Sequence, residues 1–383
     1  MRKNITRCIR LVNSDLHKIN AWAEQWLVTI NATKTVTMLF SKSRPNMQLP
    51  PVILGNSHLT QVFSHTHLGL KLTPTLSWQA HITELITKAN KRLLLLKKFK
   101  YRVSRKTLQT CYFSFVRSLL EYGDILLDSC SQKLEQELEA VQINAAQIVT
   151  GAKRNSSHEE LYKELGWQPL QRRRHIHKLT KMYDIVNNVT PKYLHNVIDH
   201  TNARDLRGFM NGNLKNFRPN TTLFEKSFFV DTIKKWNNLP TCAKKAQTKY
   251  SFKQHVNNLF KSESNFINDN LPRKAQIMIA QLRIGFSDLN AHLFDRNCIL
   301  SPKCECGHVR ENNYHFMMSC PLYNDQRLRM LSNISNLNLN VPINLKLLLY
   351  GNTECLNIEQ NNKLQKYVAE YLLQCNRLLT YIK

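Results

Sequence analysis

The chain has 383 residues, 42% of them hydrophobic, and carries 54 Lys and Arg against 27 Asp and Glu, a formal net charge of +27. That excess points to a polyanionic partner, nucleic acid before an anionic membrane. The longest aliphatic run, Leu93–Leu96, is far short of a membrane span, so no membrane partner is expected. No apolar segment follows the basic Met1-Arg-Lys-Asn4, so secretion is not expected, and Asn188-Val-Thr190 reads as a chance glycan triplet. Seven of the ten cysteines are scattered, which does not suit a disulfide framework. The expected location is a reducing intracellular compartment, nucleus or cytoplasm.

In chain order, Leu11, Leu16, Ile19, Trp22, Ala23 and Trp26 predict an amphipathic helix over 11–30. Thr35–Phe40 reads as a strand, Val52–Leu54 and Leu59–Val62 as a hairpin around Gly55-Asn56, and Thr66–Leu72 as one more strand. After Pro74 the apolar period becomes helical. Ile82, Leu85, Ile86, Ala89, Leu93 and Leu96 form one stripe, and Leu108, Cys111, Tyr112, Phe115 and Leu119 a second behind a Ser104 cap. A third helix, Gln132–Thr150, lies between Ser131 and Gly151. Ser157-His-Glu-Glu160 reads as a capping box for a helix ending at Gly166, and the next helix carries Arg172–Arg174 and ends near Asn188. Residues 201–222 read as a basic linker or nucleic-acid-contacting loop. Short helices over Phe228–Trp236 and Phe252–Phe260, then Arg273–Gly285, precede a cysteine-rich knot and a helical end. The expected fold is α+β. A helix-plus-antiparallel-strand region (1–72) precedes a helical region (73–200), a basic linker with short helices (201–265), a metal-knuckle region (266–335) and a C-terminal helical segment (336–383).

The knot reads C-x-C-x8-H-x4-C: Cys304, Cys306, His315 and Cys320. Four N/S donors at this spacing suit a closed, structural tetrahedral Zn²⁺ site without an open catalytic position. His308 is an alternative nitrogen donor, and the competing reading is three cysteines that merely pack. Lys88–Arg117 holds Lys88, Lys91, Arg92, Lys97, Lys98, Lys100, Arg102, Arg105, Lys106 and Arg117 without one acid, with Tyr101, Tyr112 and Phe113 interleaved. Such a tract suits phosphate contacts and base or sugar stacking. The alternative is a solvated face with the aromatics in the core, and core is the expectation for Tyr112. Arg172, Arg173 and Arg174 form a second basic patch, which equally could pack on glutamates of Glu135–Glu139 or Glu159–Glu164.

Several short motifs recur in one order: Asn31-Ala-Thr-Lys-Thr35 into Met38-Leu-Phe40, His67-Leu-Gly69, Leu76-Ser-Trp78 with His81-Ile82, and Leu120-Glu-Tyr122. Further on come Ala145-Ala146…Gly151, Leu165-Gly-Trp-Gln-Pro169, Trp236-Asn-Asn-Leu-Pro240, Leu282-Arg-Ile-Gly285, Leu289-Asn-Ala-His292 and Cys320-Pro-Leu-Tyr323…Arg327. Together they resemble the reverse transcriptase of non-LTR retrotransposons (LINE, jockey-like), over the part that follows the catalytic Tyr-Ala-Asp-Asp, a tetrad this chain does not contain. The resemblance implies a partial palm over 1–72, a thumb over 73–200 that holds RNA or an RNA/DNA duplex by its backbone, and a C-terminal zinc knuckle. It also implies an accessory role for Lys34 beside the pyrophosphate and a primer-grip-like hairpin at His67, Leu68 and Gly69. The family usually has Tyr at the position of His67, and often Glu or Thr where Asn312-Asn313 stand.

Polymerisation needs two Mg²⁺ held by paired aspartates. Asp15 is the only Asp in the first 120 residues. The chain is therefore expected to be inactive alone, with Mg²⁺ bound only if an upstream palm completes it and with that missing polymerase half as a candidate partner. No Pro-Asp of a restriction-like endonuclease occurs, and the acids form no ribonuclease H constellation. Two other functions fit the same residues: a co-opted nucleic-acid-binding protein without a polymerase role, and a helical protein-interaction scaffold.

Overall fold

A computed structural model describes residues 2–41, 46–198, 211–260 and 265–378. It is mixed α and β, mainly helical, with strands confined to three two-stranded ladders among the described residues. Contacts divide the chain into a unit of residues 1–85 with 129–134 and a unit of residues 86–128 with 135–383.

The first unit opens with α1, Arg2–Gln25. The helix starts earlier than the apolar period indicates and stops sooner, because Leu27 turns the chain with φ +56°. Only Ala23 of its apolar stripe is buried. Leu11, Trp22 and Trp26 are 59%, 53% and 64% exposed, so this face is uncovered. The Asn13 amide ties α1 to the first hairpin, donating to Pro51 O (3.1 Å) and accepting from Ile53 N (3.0 Å).

The strands are shorter than the β-branched runs that predict them. Ladder pairing within Thr35–Phe40 is limited to β1, Val36–Thr37. The hairpin at Gly55-Asn56 is present, but β2, Ile53–Leu54, returns through β3, Ser57–His58. The segment expected as its second arm holds β4, Thr60–Gln61, which pairs in parallel with β1. Thr66–Leu72 is not one strand but a hairpin of β5, His65–His67, and β6, Leu70–Leu72. Leu68 (φ +47°) and Gly69 (φ +80°) make the turn, the paired positive φ of a two-residue hairpin loop.

From α2, Gln79–Phe99, the chain is helical. The second unit is organised around α9, Arg273–Ile284, of which every residue from Ala275 to Ile284 is buried. Before it come α3 (Arg105–Cys111), continued through a wide π turn to Leu120, α4 (Gln132–Thr150), α5 (His158–Leu165) and α6 (Leu170–Val186), then α7 (Phe228–Asn237) and α8 (Lys249–Leu259). After it come α10 (Asn290–Phe294), α11 (Asn324–Ser335), α12 (Leu345–Tyr350) and α13 (Ile358–Cys375). Local caps set many ends, as the sequence indicates. Ser104 and Ser157 accept from Thr107 N and Glu160 N, and Gly166 and Gly285 close α5 and α9 in the left-handed region.

Two apolar clusters are distinct. Ile176, Met182, Tyr183, Ile233, Trp236 and Phe252 join α6, α7 and α8. The Trp236-Asn237 pair is scaffold: Trp236 Nε1 donates to Gly212 O (3.1 Å), and Asn237 exchanges two 2.8 Å bonds with the backbone of Leu214. The other cluster joins α9, α11, α12 and α13 with Phe316 and Met317 of the knot. Of the expected linker, residues 201–210 lie outside the described residues.

Candidate metal centre and basic surface

Cys304, Cys306, His315 and Cys320 converge, with their four donor atoms all within 4.8 Å of one another. Cys304 Sγ and Cys320 Sγ are 3.7 Å apart, and Cys306 Sγ and His315 Nε2 are 3.2 Å apart. A tetrahedral Zn²⁺ with bonds of about 2.3 Å to S and 2.0–2.1 Å to N would set these separations near about 3.8 and 3.5 Å. These two separations are near those values, and the four donors together could hold a metal ion.

The local chain explains the convergence. Gly307 N donates to Cys304 O (2.9 Å) and Gly307 sits at φ +93°, a tight turn that aims two sulfurs separated by one residue the same way. His315 lies in a short π turn, His315–Ser319, whose start is capped by Asn312 Oδ1 on His315 N (2.8 Å). Asn313 Nδ2 donates to Leu282 O (2.9 Å) and ties the turn to α9. The Asn312-Asn313 pair, a departure at sequence level, has a structural task in each residue. His308 is not in the cluster. It stacks on His315 with ring centroids 4.0 Å apart, and its Nδ1 accepts from Arg310 N.

The four donors sit in unequal electrostatic environments. Burial, reinforced by the facing sulfurs, pushes Cys304 up to about 12 and raises Cys320. The His308 backbone N–H holds Cys306 below the ordinary thiol value. Burial, with His308 beside it, lowers His315, leaving the neutral imidazole that ligates metals. A dication would exchange its charge for the thiol protons. The knot is anchored by Arg327, which donates to Cys320 O (2.8 Å), and by buried Glu311, which accepts from Asn290 N (2.8 Å) and Arg377 (2.8 Å).

The basic tract divides. Lys88, Lys91, Arg92, Lys97, Lys98, Arg102 and Lys106 are exposed, with Leu94 and Leu95 exposed among them; Arg92 also donates to Phe115 O. Lys100 is half-buried; burial, then Arg273 and Lys97, lower its ammonium to about 8. Arg105 is not on the surface. Only 4% exposed, it shares Glu164 with Arg283: Arg105 Nη1 lies 2.6 Å and Arg283 Nη1 3.1 Å from Glu164 Oε1. Tyr112 is core, stacked on Trp167 at 4.5 Å and donating to Gln142 Oε1 (2.9 Å). Arg117 lies over the Phe113 ring and beside Glu121.

In the second patch Arg172 is exposed near the Phe260 ring, Arg173 pairs with Glu121, and Arg174, 3% exposed, pairs with Glu135 (3.1 Å). Packing on Glu135–Glu139, the alternative for this patch, describes Arg174; Arg173 also packs on a glutamate, but on Glu121, outside the expected groups. Lys178, fully buried, pairs with Asp231.

In the first unit, Lys34 is exposed in a turn capped by Asn31, and His67 and Leu68 stand exposed at the β5–β6 tip. Asp15 pairs with Lys18 (3.1 Å). No helix among the described residues is long and apolar enough to cross a membrane. No family model and no curated protein matches this sequence.

Proposed function

We propose that this chain is a nucleic-acid-binding protein, the C-terminal half of a LINE-type reverse transcriptase, that holds RNA or an RNA/DNA duplex by its backbone and does not polymerise alone. The carrying observation is the outward face of α2 and its continuation. There Lys91, Lys98, Arg102 and Lys106 are exposed in a tract without an acid, whereas Arg105, Arg173, Arg174, Arg283, Arg310 and Arg377 of the helical unit are drawn into ion pairs. An ordinary solvated face mixes signs. The Cys₃His cluster supports a structural Zn²⁺ that fixes the knot to α9 and α13, with Cys304, Cys306, His315 and Cys320 as ligands; the ion would supply local folding energy, not catalysis. The uncovered apolar face of α1 supports a further polypeptide, such as the polymerase half that carries the aspartates, packing on the first unit.

The test is a Lys91→Gln, Lys98→Gln, Arg102→Gln, Lys106→Gln variant. Its affinity should fall alike for unrelated sequences, and the salt slope should flatten by about two to four units. An unchanged slope would make the tract a solvated face.

A further inference from the structure

Between α2, the C-terminal end of α4 and α9 lies a cleft of about 850 Å³. Its charged lining is five cations, Lys97, Lys100, Lys153, Arg154 and Arg296, against one acid, Asp288. Lys153 pairs with Asp288, and Arg296 is committed to the carbonyls of His292 and Ser287. Lys97, Lys100 and Arg154 remain to face a ligand. Leu93 and Ile148, both buried, give the wall an apolar part, and Tyr101 adds a half-exposed ring.

The independent observation is Gln281. It lines the cleft and is 6% exposed, its Nε2 donates to Gly151 O, and its Oε1 is buried without a hydrogen-bond partner. A buried orphan acceptor requires a donor. A fully ionised anion such as sulfate would satisfy the cations but, having no donor, not this oxygen. A ligand that satisfies both carries a phosphate and, at a separate position, a hydroxyl or amino group. The volume is within the range of small-molecule sites.

We propose that this cleft holds one unpaired nucleotide, with its phosphate on Lys97, Lys100 and Arg154, its base against Leu93 and Ile148, and a ribose hydroxyl or exocyclic amine donating to Gln281 Oε1. In part this rests on the nucleic-acid reading: the nucleotide can be the overhanging residue of a bound strand or a free nucleoside monophosphate. The outer face of α2 takes paired backbone, and the cleft takes what is not paired.

The test measures binding of the full chain to a blunt RNA/DNA duplex, to the same duplex with a one-nucleotide overhang, and to adenosine monophosphate. Wild type should prefer the overhang by about tenfold, in line with one stacked and contacted base. Lys100→Gln with Arg154→Gln, and separately Gln281→Leu, should abolish that preference and leave blunt-duplex affinity within about twofold. Tm of each variant guards against misfolding; if Gln281→Leu does not fold, the Lys100 and Arg154 variant decides alone. Adenosine monophosphate bound without any duplex affinity would keep the cleft as a free-nucleotide site and sink the nucleic-acid reading instead. Equal binding of blunt and overhung duplex by wild type, without nucleotide binding, overturns the proposal, as does an equal loss on both duplexes in the variants.

Discussion

Glu164 is the charge on which the helical unit should depend most. It is 1% exposed, and Arg105 and Arg283, both buried, converge on it, with Asn265 Nδ2 donating to Oε2 at 2.7 Å. Arg283 also donates to Leu349 O and Phe266 O, and Arg105 N donates to Gln276 Oε1, so the cluster ties α3 and α5 to α9 and the C-terminal helices. Glu164→Gln keeps the volume and one acceptor but leaves two buried guanidinium groups without a counter-charge. Removing one partner of a buried pair costs about 3–5 kcal/mol; because the amide still accepts one bond, about 3 kcal/mol is expected. For a unit of this size that is roughly a 5 °C fall in Tm, against a change within about 0.5 kcal/mol for exposed Glu159→Gln.

The pH dependence gives a second check. Burial alone would raise the Glu164 carboxyl, but Arg283 and Arg105 outweigh it and hold the group below its ordinary 4.5. Its contribution is thus fully present above 4.5 and is lost as pH falls through the lower, folded value. Glutamine does not titrate there, so the gap between wild type and variant, measured by urea unfolding from pH 7 to 3, should narrow on acidification. A variant within 1 kcal/mol of wild type at pH 7, or a gap constant over that range, would refute the reasoning.

Other perturbations follow from the same geometry. Cys304→Ser with Cys320→Ser should drop bound zinc from about one per chain to near zero by elemental analysis, with faster proteolysis around 300–323; unchanged zinc content would place the metal elsewhere. Gly151→Ala should cost about 2–4 kcal/mol in chemical denaturation, because Gly151 has φ +79° and an added Cβ would lie 2.5 Å from Ile277 Cγ1; a neutral outcome would mean that α4 and α9 do not approach so closely. Lys100→Met should raise Tm at pH 7. Burial holds the wild-type ammonium at about 8 rather than 10.5, so charging it opposes folding below pH 8, and the advantage should shrink as pH rises toward 10.5. A constant advantage would deny the shift.

What could be read from the sequence was local. Ser104, Gly151, Gly166 and Gly285 punctuate helices because a cap or a left-handed residue acts within one turn. The Cys₃His donors were legible because their spacing is the chemistry. What could not be read was non-local. Nothing near Arg105 announces that Glu164, 59 residues on, and Arg283 will enclose it, so a run of cations looked uniformly like surface. The strand errors are similar: β4 leaves the hairpin to pair with β1, a choice made by distant backbone rather than by β propensity. Gln281, the group that marks the cleft, has no sequence signature at all. Its orphan oxygen exists only once α4 and α9 are packed.

The most direct test of the account is the salt dependence of wild-type binding to an RNA/DNA duplex, followed by fluorescence anisotropy on two unrelated sequences. Backbone gripping by four or five cations predicts the same affinity for both and a slope of log K against log [salt] near about −4. No measurable binding at low salt, or a slope near zero with strong preference for one sequence, would contradict it.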